Sequence, residues 1–289
     1  MWPVRNAPAG VRPLDVESLK RGSYDERRMS HEFSMDRRAY LKTVGVAGSS
    51  AAVAGCLGGG GDDDTIVPGT STPFRPFEYI DEGSNELVGF DIELVEEAIR
   101  RTDYEQGEWQ DIAFDQLETA LEEGDIDLLA AAYSITEERQ ESFTFTDSYY
   151  EVSQAIVVRE GGDFQPEELA DFEGKRVGAQ GDTTGESLVE ERMIDEGIIE
   201  EDDYRSYGNY NLAIQDLENG NIDGVMIDEP TANSFTEQRD VVVAFTIATG
   251  EEYGFAMRPD DDRISDINDG LSAMRDDGTY DEIRERYIG

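Results

Sequence analysis

Two stretches of this sequence, LEEGDIDLLAAAYS at residues 121–134 and LENGNIDGVMIDEP at residues 217–230, carry Leu, Glu, Gly, Ile and Asp at the same offsets. Each has the pattern of a helix end, a glycine that terminates the helix, and a short apolar strand. Two copies of a helix–strand unit predict two similar α/β lobes. In open α/β sheets, ligands bind beyond the carboxyl ends of the strands. We therefore expect the residues after each strand to face each other across a cleft.

Helix and strand patterns also alternate on both sides of this repeat. Residues 91–101 carry apolar side chains on one face of a predicted helix, with Asp91 as the expected N-cap. Residues 115–123 predict a second helix that Gly124 ends, and residues 126–132 form an apolar run short enough for a buried strand. Such regular alternation predicts an α/β fold and argues against disorder, in spite of the acidic composition.

The composition is strongly acidic. Among 289 residues there are 67 Asp and Glu against 24 Lys and Arg, a formal charge of −43. This composition, with many carboxylates and almost no lysine, resembles that of proteins from salt-loving archaea. Because self-repulsion destabilises a compact chain unless salt screens it, we expect folding to depend on molar salt. Phosphate contacts need clustered Arg and Lys, so nucleic acid is not an expected partner.

The segment MDRRAYLKTVGVAGSSAAVAGC at residues 35–56 has the parts of a secretory signal: a basic head, a weakly apolar run and small residues before Cys56. Its Arg37–Arg38 pair resembles the twin-arginine (Tat) export motif, and Val-Ala-Gly-Cys resembles a lipobox whose cysteine is lipidated. The alternatives are a membrane anchor or a buried helix, but the run is shorter than the ~20 apolar residues of a span and is rich in glycine.

This interpretation divides the N-terminal part into an untranslated or mis-assigned extension (residues 1–34), a signal peptide (residues 35–55) and a Gly/Asp-rich tether (residues 56–65). The sequence has one cysteine, Cys56, and one histidine, His31. A lipidated chain starting at Cys56 would therefore have no free thiol or imidazole for nucleophilic, CxxC redox or ordinary zinc chemistry. Neither a GxGxxG nor a GxxxxGK[ST] loop occurs. We expect no metal and no cofactor.

Polar candidates follow both repeated strands. After the first strand come Ser134 and, within a turn, Arg139, whose planar fork suits a carboxylate. The alternative for Arg139 is a surface arginine paired with Glu137 or Glu138. At the end of the second strand, Asp228 could hold a ligand ammonium or merely cap the next helix.

Between the copies, VGAQGDTTGESLVEE at residues 177–191 predicts a strand, a loop and a helix that begins near Thr184. The free N–H groups of that helix would favour an anion, although Thr183 or Thr184 could be a plain N-cap. Aromatic residues are usually core, but Phe74 stands in a loop between two non-aromatic residues. An arginine and a helix N-terminus for a carboxylate, with an aspartate for an ammonium, together describe an α-amino acid.

Eight motifs occur in a characteristic order: GTSTPFRPFEY, LVGFDIELVEEAI, GDIDLLAAAYSITEER, FTFTDSYY, VGAQGDTTGESL, NIDGVMIDEP, YGFAMR and DGTYDEIRERYIG. Over residues 66–289 the chain resembles the polar amino-acid-binding proteins of ABC importers. The resemblance implies the type II periplasmic-binding-protein fold, with two Rossmann-like lobes. The implied lobes are residues 66–150 with 253–289, and residues 151–252, joined by two hinge strands that cross near Tyr150–Glu151 and Gly250–Tyr253.

The resemblance also implies a ligand site. Arg139, Ser134 and Thr184 would hold the α-carboxylate. Asp228 and the Ala132 carbonyl would hold the α-ammonium, and Phe74 and Phe114 would sandwich the side chain. The implied side-chain pocket is lined by Ser71, Tyr133, Gln180, Asp182 and Ile227. Several relatives carry Asp in place of Ser71, Gly in place of Asp182, and Gly or Ser in place of Ala132, so substrate identity does not follow. Because no second cation is evident, a polar uncharged or cationic amino acid is preferred.

The implied function is capture of an amino acid by a monomeric, lipid-anchored protein on the extracellular face of the cell membrane. The closed form would deliver the ligand to an ABC permease driven by a cytoplasmic ATPase, and no bond would be broken. One alternative is a sensor whose closed form signals to a receptor. Another is an enzyme similar to cyclohexadienyl dehydratase, in which Glu229 would act as the acid–base group.

Overall fold

The computed structural model of the protein describes residues 64–289. The extension, the signal with Arg37 and Arg38, and the lipidation site Cys56 lie outside the described residues. The strands are β1 (Thr65–Ile66), β2 (Pro68–Thr70), β3 (Tyr79–Ile80), β4 (Leu87–Val88), β5 (Glu105–Gln106), β6 (Gln110–Asp111), β7 (Leu128–Leu129), β8 (Thr144–Phe145), β9 (Tyr150–Arg159), β10 (Val177–Gln180), β11 (Tyr204–Tyr207), β12 (Gly224–Asp228), β13 (Val241–Tyr253) and β14 (Ala256–Met257). The helices are α1 (Phe90–Arg100), α2 (Leu117–Glu123), α3 (Glu137–Ser142), α4 (Thr184–Val189), α5 (Tyr210–Asn219), α6 (Glu229–Thr236), α7 (Arg263–Asp277) and α8 (Thr279–Tyr287).

The first lobe is built on a five-stranded sheet in the order β6-β2-β7-β14-β8. Strands β6, β2 and β7 are parallel, and β14 runs antiparallel to both of its neighbours. Helices α1, α7 and α8 pack together on this lobe around a core that includes Phe77, Phe90 and Phe255. Within residues 64–289 no helix is both long and apolar enough to span a membrane.

The second lobe is built on a five-stranded sheet in the order β11-β10-β12-β9-β13. Strands β11, β10 and β12 are parallel, and β9 is antiparallel to β12 and β13. Helices α4, α5 and α6 pack on this sheet. The sequence-based prediction of an α/β fold with two lobes is therefore confirmed.

The chain passes between the two lobes twice, where β8 leads into β9 and where β13 leads into β14. Strands β9 and β13 pair along their length, and Tyr150 lies opposite Tyr253 at the end nearest the first lobe. Their register shifts between Ile247 and Glu251, where β13 holds two residues more than β9. Irregularities of this kind re-aim side chains next to functional sites.

The repeated motif has one structural meaning in both lobes. Helices α2 and α5 end at Gly124 and Gly220, which adopt left-handed backbone conformations (φ 81° and 76°) that glycine favours. A buried strand follows each glycine, as predicted. The carboxylates of Asp127 and Asp223 accept equivalent hydrogen bonds, at 3.0 and 2.9 Å, from the backbone N–H just before the neighbouring strand. The repeated aspartate thus ties the start of its own strand to the start of the neighbouring strand in both lobes.

Helix α1 shows one departure from the sequence-based expectation. Its apolar face is buried as predicted, but the N-cap is Gly89 rather than Asp91. The Asp91 side chain is fully buried and accepts a hydrogen bond from the backbone N–H of Ala132. It is therefore committed to the end of the first repeated strand and not to its own helix.

Candidate functional site

A cavity of about 140 Å³ lies between the lobes, beside the carboxyl ends of β2, β7, β10 and β12. This volume suits a small metabolite and not a macromolecule. Nine of the ten candidate ligand residues from the sequence line it: Ser71, Phe74, Phe114, Ala132, Ser134, Arg139, Gln180, Thr184 and Asp228. Their placement follows from the parallel strands, whose carboxyl ends converge at one edge of each sheet. Their roles as ligand contacts stay predictions.

Arg139 bridges the two lobes. Its Nη1 donates to the Ser134 carbonyl at 3.1 Å, and its Nη2 donates to the Asp182 carbonyl at 2.9 Å. The guanidinium stacks over the Tyr133 ring, 3.9 Å from the ring centroid. Glu118, 3.7 Å away, is the acidic partner of Arg139, and neither Glu137 nor Glu138 forms an ion pair with it. The alternative of a surface arginine paired with its helix neighbours is therefore wrong.

Tyr133 and Ile227 do not line the cavity, so the expectation that they do is wrong. Both side chains are buried, at 1% and 0% exposure. The Tyr133 ring packs between Phe114 and Phe145 in the first-lobe core, and Ile227 packs in the second-lobe core. Ile227 lies on β12 next to Asp228, and successive side chains on a strand point to opposite faces, so Ile227 turns inward. Tyr133 lies beyond the end of β7 and follows the left-handed backbone of Ala132. Tyr133 contributes to the site indirectly, because its ring stacks against the Arg139 guanidinium.

Asp182 also lies outside this cavity. It lines a second, strongly acidic cavity together with Glu118, Glu138 and Glu186. Its backbone has a left-handed conformation (φ 61°), which glycine would adopt without strain. Only its carbonyl reaches the site, as an acceptor for Arg139.

Thr183 and Thr184 divide two tasks at the start of α4. Thr183 is the N-cap, and its hydroxyl accepts a hydrogen bond from the Glu186 N–H at 3.3 Å. Both threonines line the cavity, and the Thr184 hydroxyl lies 3.5 Å from that of Ser134. The two hydroxyls come from different lobes.

Asp228 ends β12 and is only 7% exposed. Although it precedes α6, its side chain makes no capping hydrogen bond. Its carboxylate accepts a hydrogen bond from the Gln154 amide instead. Burial, and next the charge of Glu251, raise the pKa of Asp228 well above its ordinary value. A nearby cation would relieve this cost of ionisation.

Glu251 is a participant that sequence reasoning missed. Its Oε1 accepts hydrogen bonds from the hydroxyls of Ser134 and Thr184, and its Oε2 accepts one from Gln154 Nε2 at 3.0 Å. The carboxylate thus links the first lobe, the second lobe and strand β9. The run TGEEY gave no sign of this, because only the shifted register of β13 determines where the side chain points.

Glu78 is the second residue that was missed. It lines the cavity, is 1% exposed, and its Oε2 has no hydrogen-bond partner among the described residues. Burial, and then the charges of Asp91 and Asp228, raise its pKa well above the ordinary value. The available signal was a lone carboxylate between two aromatics in GTSTPFRPFEY.

The two aromatic candidates, Phe74 from its loop and Phe114 from the start of the turn before α2, lie at the cavity. Phe74 and Phe114 both line it and are partly buried, whereas Phe77 is fully buried in the core. Phe74 packs between Phe77 and Tyr210, with ring centroids 5.9 and 5.8 Å apart. An apolar ligand stem could lie against these rings.

Charged side chains in the lining comprise two carboxylates, Glu78 and Asp228, and one guanidinium, Arg139. If all are ionised, the lining carries one net negative charge. A ligand with one anionic and two cationic groups would match it group by group.

Glu229, the acid–base candidate of the enzymatic alternative, does not line this cavity. It lines a separate one with Tyr150, Glu151 and Tyr287, although it directly follows Asp228. The helical backbone that begins at Glu229 carries its side chain away from the strand edge.

Comparison with known proteins places these features in one family. Residues 66–289 match the description "Bacterial extracellular solute-binding proteins, family 3". The chain is similar to the ABC transporter arginine-binding protein 1 of Escherichia coli K12, at 31% identity over 83% of this chain and 97% of that protein. It is 30% identical to a probable histidine-binding protein of Campylobacter jejuni, over 77% of this chain and 84% of that protein.

A solved structure of an amino-acid-binding protein has a similar fold. An ancestral arginine-binding protein bound to arginine matches with a TM-score of 0.72 and 35% identity. The match covers 78% of this chain and 99% of that one. The fold is therefore the type II periplasmic-binding-protein fold, as the sequence motifs implied.

Proposed function

This chain belongs to the family-3 extracellular solute-binding proteins, and we propose that it captures a cationic α-amino acid between its lobes and delivers it to an ABC importer. The observation that carries the proposal is the charge pattern of the cavity: one guanidinium faces two buried carboxylates. Relatives named for arginine or histidine support the same ligand class.

Each ligand group finds a counterpart in this proposal. The α-carboxylate meets the Arg139 guanidinium and the N-terminus of α4. The α-ammonium meets the Asp228 carboxylate and the Ala132 carbonyl. A side-chain cation meets Glu78, and its apolar stem lies between Phe74 and Phe114.

Ligand binding would shift the equilibrium between open and closed arrangements of the two lobes. Arg139 belongs to the first lobe and Asp228 to the second, so a ligand that contacts both stabilises the arrangement in which the lobes are close. The permease would recognise this closed form. No reaction is needed, and the separate location of Glu229 supports binding over the enzymatic alternative.

Export and anchoring complete the proposal. The Arg37–Arg38 motif supports export by the Tat route, and Cys56 after a run of small residues supports lipidation at the outer face of the membrane. Binding by a monomer is proposed because one chain supplies every group of the site.

Calorimetric titration of the protein in molar KCl with the twenty common amino acids tests the function. We expect saturable binding of one or more cationic amino acids, and loss of that binding in Arg139→Ala. Arg192→Ala, which removes a surface ion pair with Glu196, is the matched control. A folded protein that binds no amino acid would contradict the proposal.

A further inference from the structure

Ala132 has an unusual backbone conformation in the cavity lining. Its φ is 47°, in the left-handed region that costs free energy for any residue with a β-carbon. Within residues 64–289 its carbonyl accepts no hydrogen bond from the protein. A residue that lines the cavity thus has a strained backbone and a carbonyl without a partner among the described residues.

The N–H of Ala132 is hydrogen-bonded to a buried carboxylate. It donates to Asp91 Oδ2 at 2.7 Å, and the same oxygen accepts the Tyr149 hydroxyl at 2.6 Å. Asp91 is fully buried, and its Oδ1 has no partner among the described residues. A buried carboxylate with an unsatisfied oxygen is costly, so its presence calls for a function beyond filling space.

The position of Asp91 suits one task. It lies in the first turn of α1, which belongs to the packed core of the first lobe. Its hydrogen bond holds the amide of Ala132 against that rigid helix and so opposes relaxation of the strained φ. With the amide and φ held, the direction of the following carbonyl is restricted.

We propose that Asp91 is a positioning residue for the α-ammonium subsite: by clamping the Ala132 amide it keeps the Ala132 carbonyl aimed at the ligand ammonium. This inference rests on the proposed function and assigns a role to a residue that does not line the cavity. A purely structural tie between α1 and β7 would support every ligand group equally, whereas the proposed role concerns the ammonium alone.

The test compares arginine with 5-guanidinopentanoate, which is arginine without its α-amino group. Calorimetry or competition in molar KCl measures both affinities for the wild type, Asp91→Ala, Asp91→Asn and Tyr149→Phe. For Asp91→Ala we expect a loss of about tenfold for arginine, since a buried N–H loses its acceptor, and little change for the analogue. Asp91→Asn retains a neutral acceptor, so we expect a smaller loss, also confined to arginine.

Tyr149→Phe is the matched control, because it removes the other hydrogen bond to Asp91 and leaves the Ala132 contact in place. We expect it to keep the wild-type ratio of the two affinities. Equal losses for arginine and the analogue, or no loss in Asp91→Asn and Asp91→Ala, would overturn the positioning role while leaving the binding function intact. If Asp91→Ala does not fold, as judged by circular dichroism, Asp91→Asn decides. Absence of amino-acid binding in the wild type would overturn the function and this inference with it.

Discussion

Arg139 of the first lobe donates a hydrogen bond to the backbone carbonyl of Asp182 in the second lobe, at 2.9 Å. The arginine proposed to bind the ligand carboxylate therefore also joins the lobes directly. Its stacking on Tyr133 fixes the plane of the guanidinium. Ligand recognition and closure thus depend on one side chain.

Arg139→Lys should weaken ligand binding substantially, although less than Arg139→Ala. Lysine keeps the charge but lacks the fork that can serve a carboxylate and two carbonyls at once. We expect a loss of affinity of about a hundredfold in Arg139→Ala and at least tenfold in Arg139→Lys, measured by calorimetry. Near-normal affinity in Arg139→Lys would show that charge alone is needed.

Glu78→Gln should change selectivity rather than binding as a whole. It removes the carboxylate proposed for the side-chain cation and leaves the α-amino and α-carboxylate groups untouched. We expect arginine to lose about tenfold or more in affinity and glutamine to change by less than about threefold. Glu82→Gln, an exposed neighbour, is the control. Equal losses for both ligands would refute a side-chain contact.

Binding of a cationic ligand should release protons. Burial raises the pKa of Glu78 and Asp228 well above their ordinary values in the empty site, and ligand cations would lower both. The bound state then holds fewer protons, so affinity rises with pH from the ordinary carboxylate pKa up to the raised one.

Calorimetry at one pH in two buffers of different ionisation enthalpy measures this release. The apparent binding enthalpy should differ between the buffers in the wild type and differ less in Asp228→Asn or Glu78→Gln. A wild-type enthalpy that does not depend on the buffer near pH 6 would count against protonated carboxylates in the empty site.

Glu251→Ala should open the unliganded protein. The Glu251 carboxylate accepts hydrogen bonds from the hydroxyls of Ser134 and Thr184, which belong to different lobes. Without this carboxylate the closed arrangement loses the hydrogen bonds that connect Ser134 to Thr184. We therefore expect the variant to have a larger radius of gyration in small-angle X-ray scattering. Glu160→Ala is the control, because Glu160 is an exposed carboxylate of the second lobe that lies outside this network. Identical scattering from wild type and Glu251→Ala would exclude this link as a determinant of closure.

Asp91 should make stability depend on pH. Burial raises its pKa from 3.8 to about 7 in the folded state. The unfolded carboxyl ionises first as pH rises, so this group's contribution to stability is greatest below its ordinary pKa and falls until about pH 7. Denaturant unfolding at pH 5 and pH 8 in molar KCl should show that wild type loses more stability than Asp91→Asn. A constant difference between the two proteins would contradict the raised pKa.

Much of the site was visible in the sequence because it depends on local pattern. Ser134 and Asp228 follow strands that a repeated glycine–isoleucine–aspartate motif places at matching positions. Arg139 and Thr184 stand a few residues from those ends, so their lining of one cavity follows from the α/β pattern and the family motifs. Tyr133 was misplaced because it lies beyond the end of β7 and follows the left-handed backbone of Ala132, where strand alternation no longer predicts side-chain direction.

The sequence by itself determined the α/β architecture, the two-lobed repeat and the strand edges where a ligand site would form, because helix ends, glycine caps and apolar runs act over a few residues. Only the tertiary structure decided that Glu251 links Ser134 with Thr184, that Glu78 lines the cavity and that Asp91 holds Ala132. These contacts join residues 41 to 117 positions apart or depend on a register shift in β13. Local propensity carries no information about such distances, so packing of the whole chain must supply it.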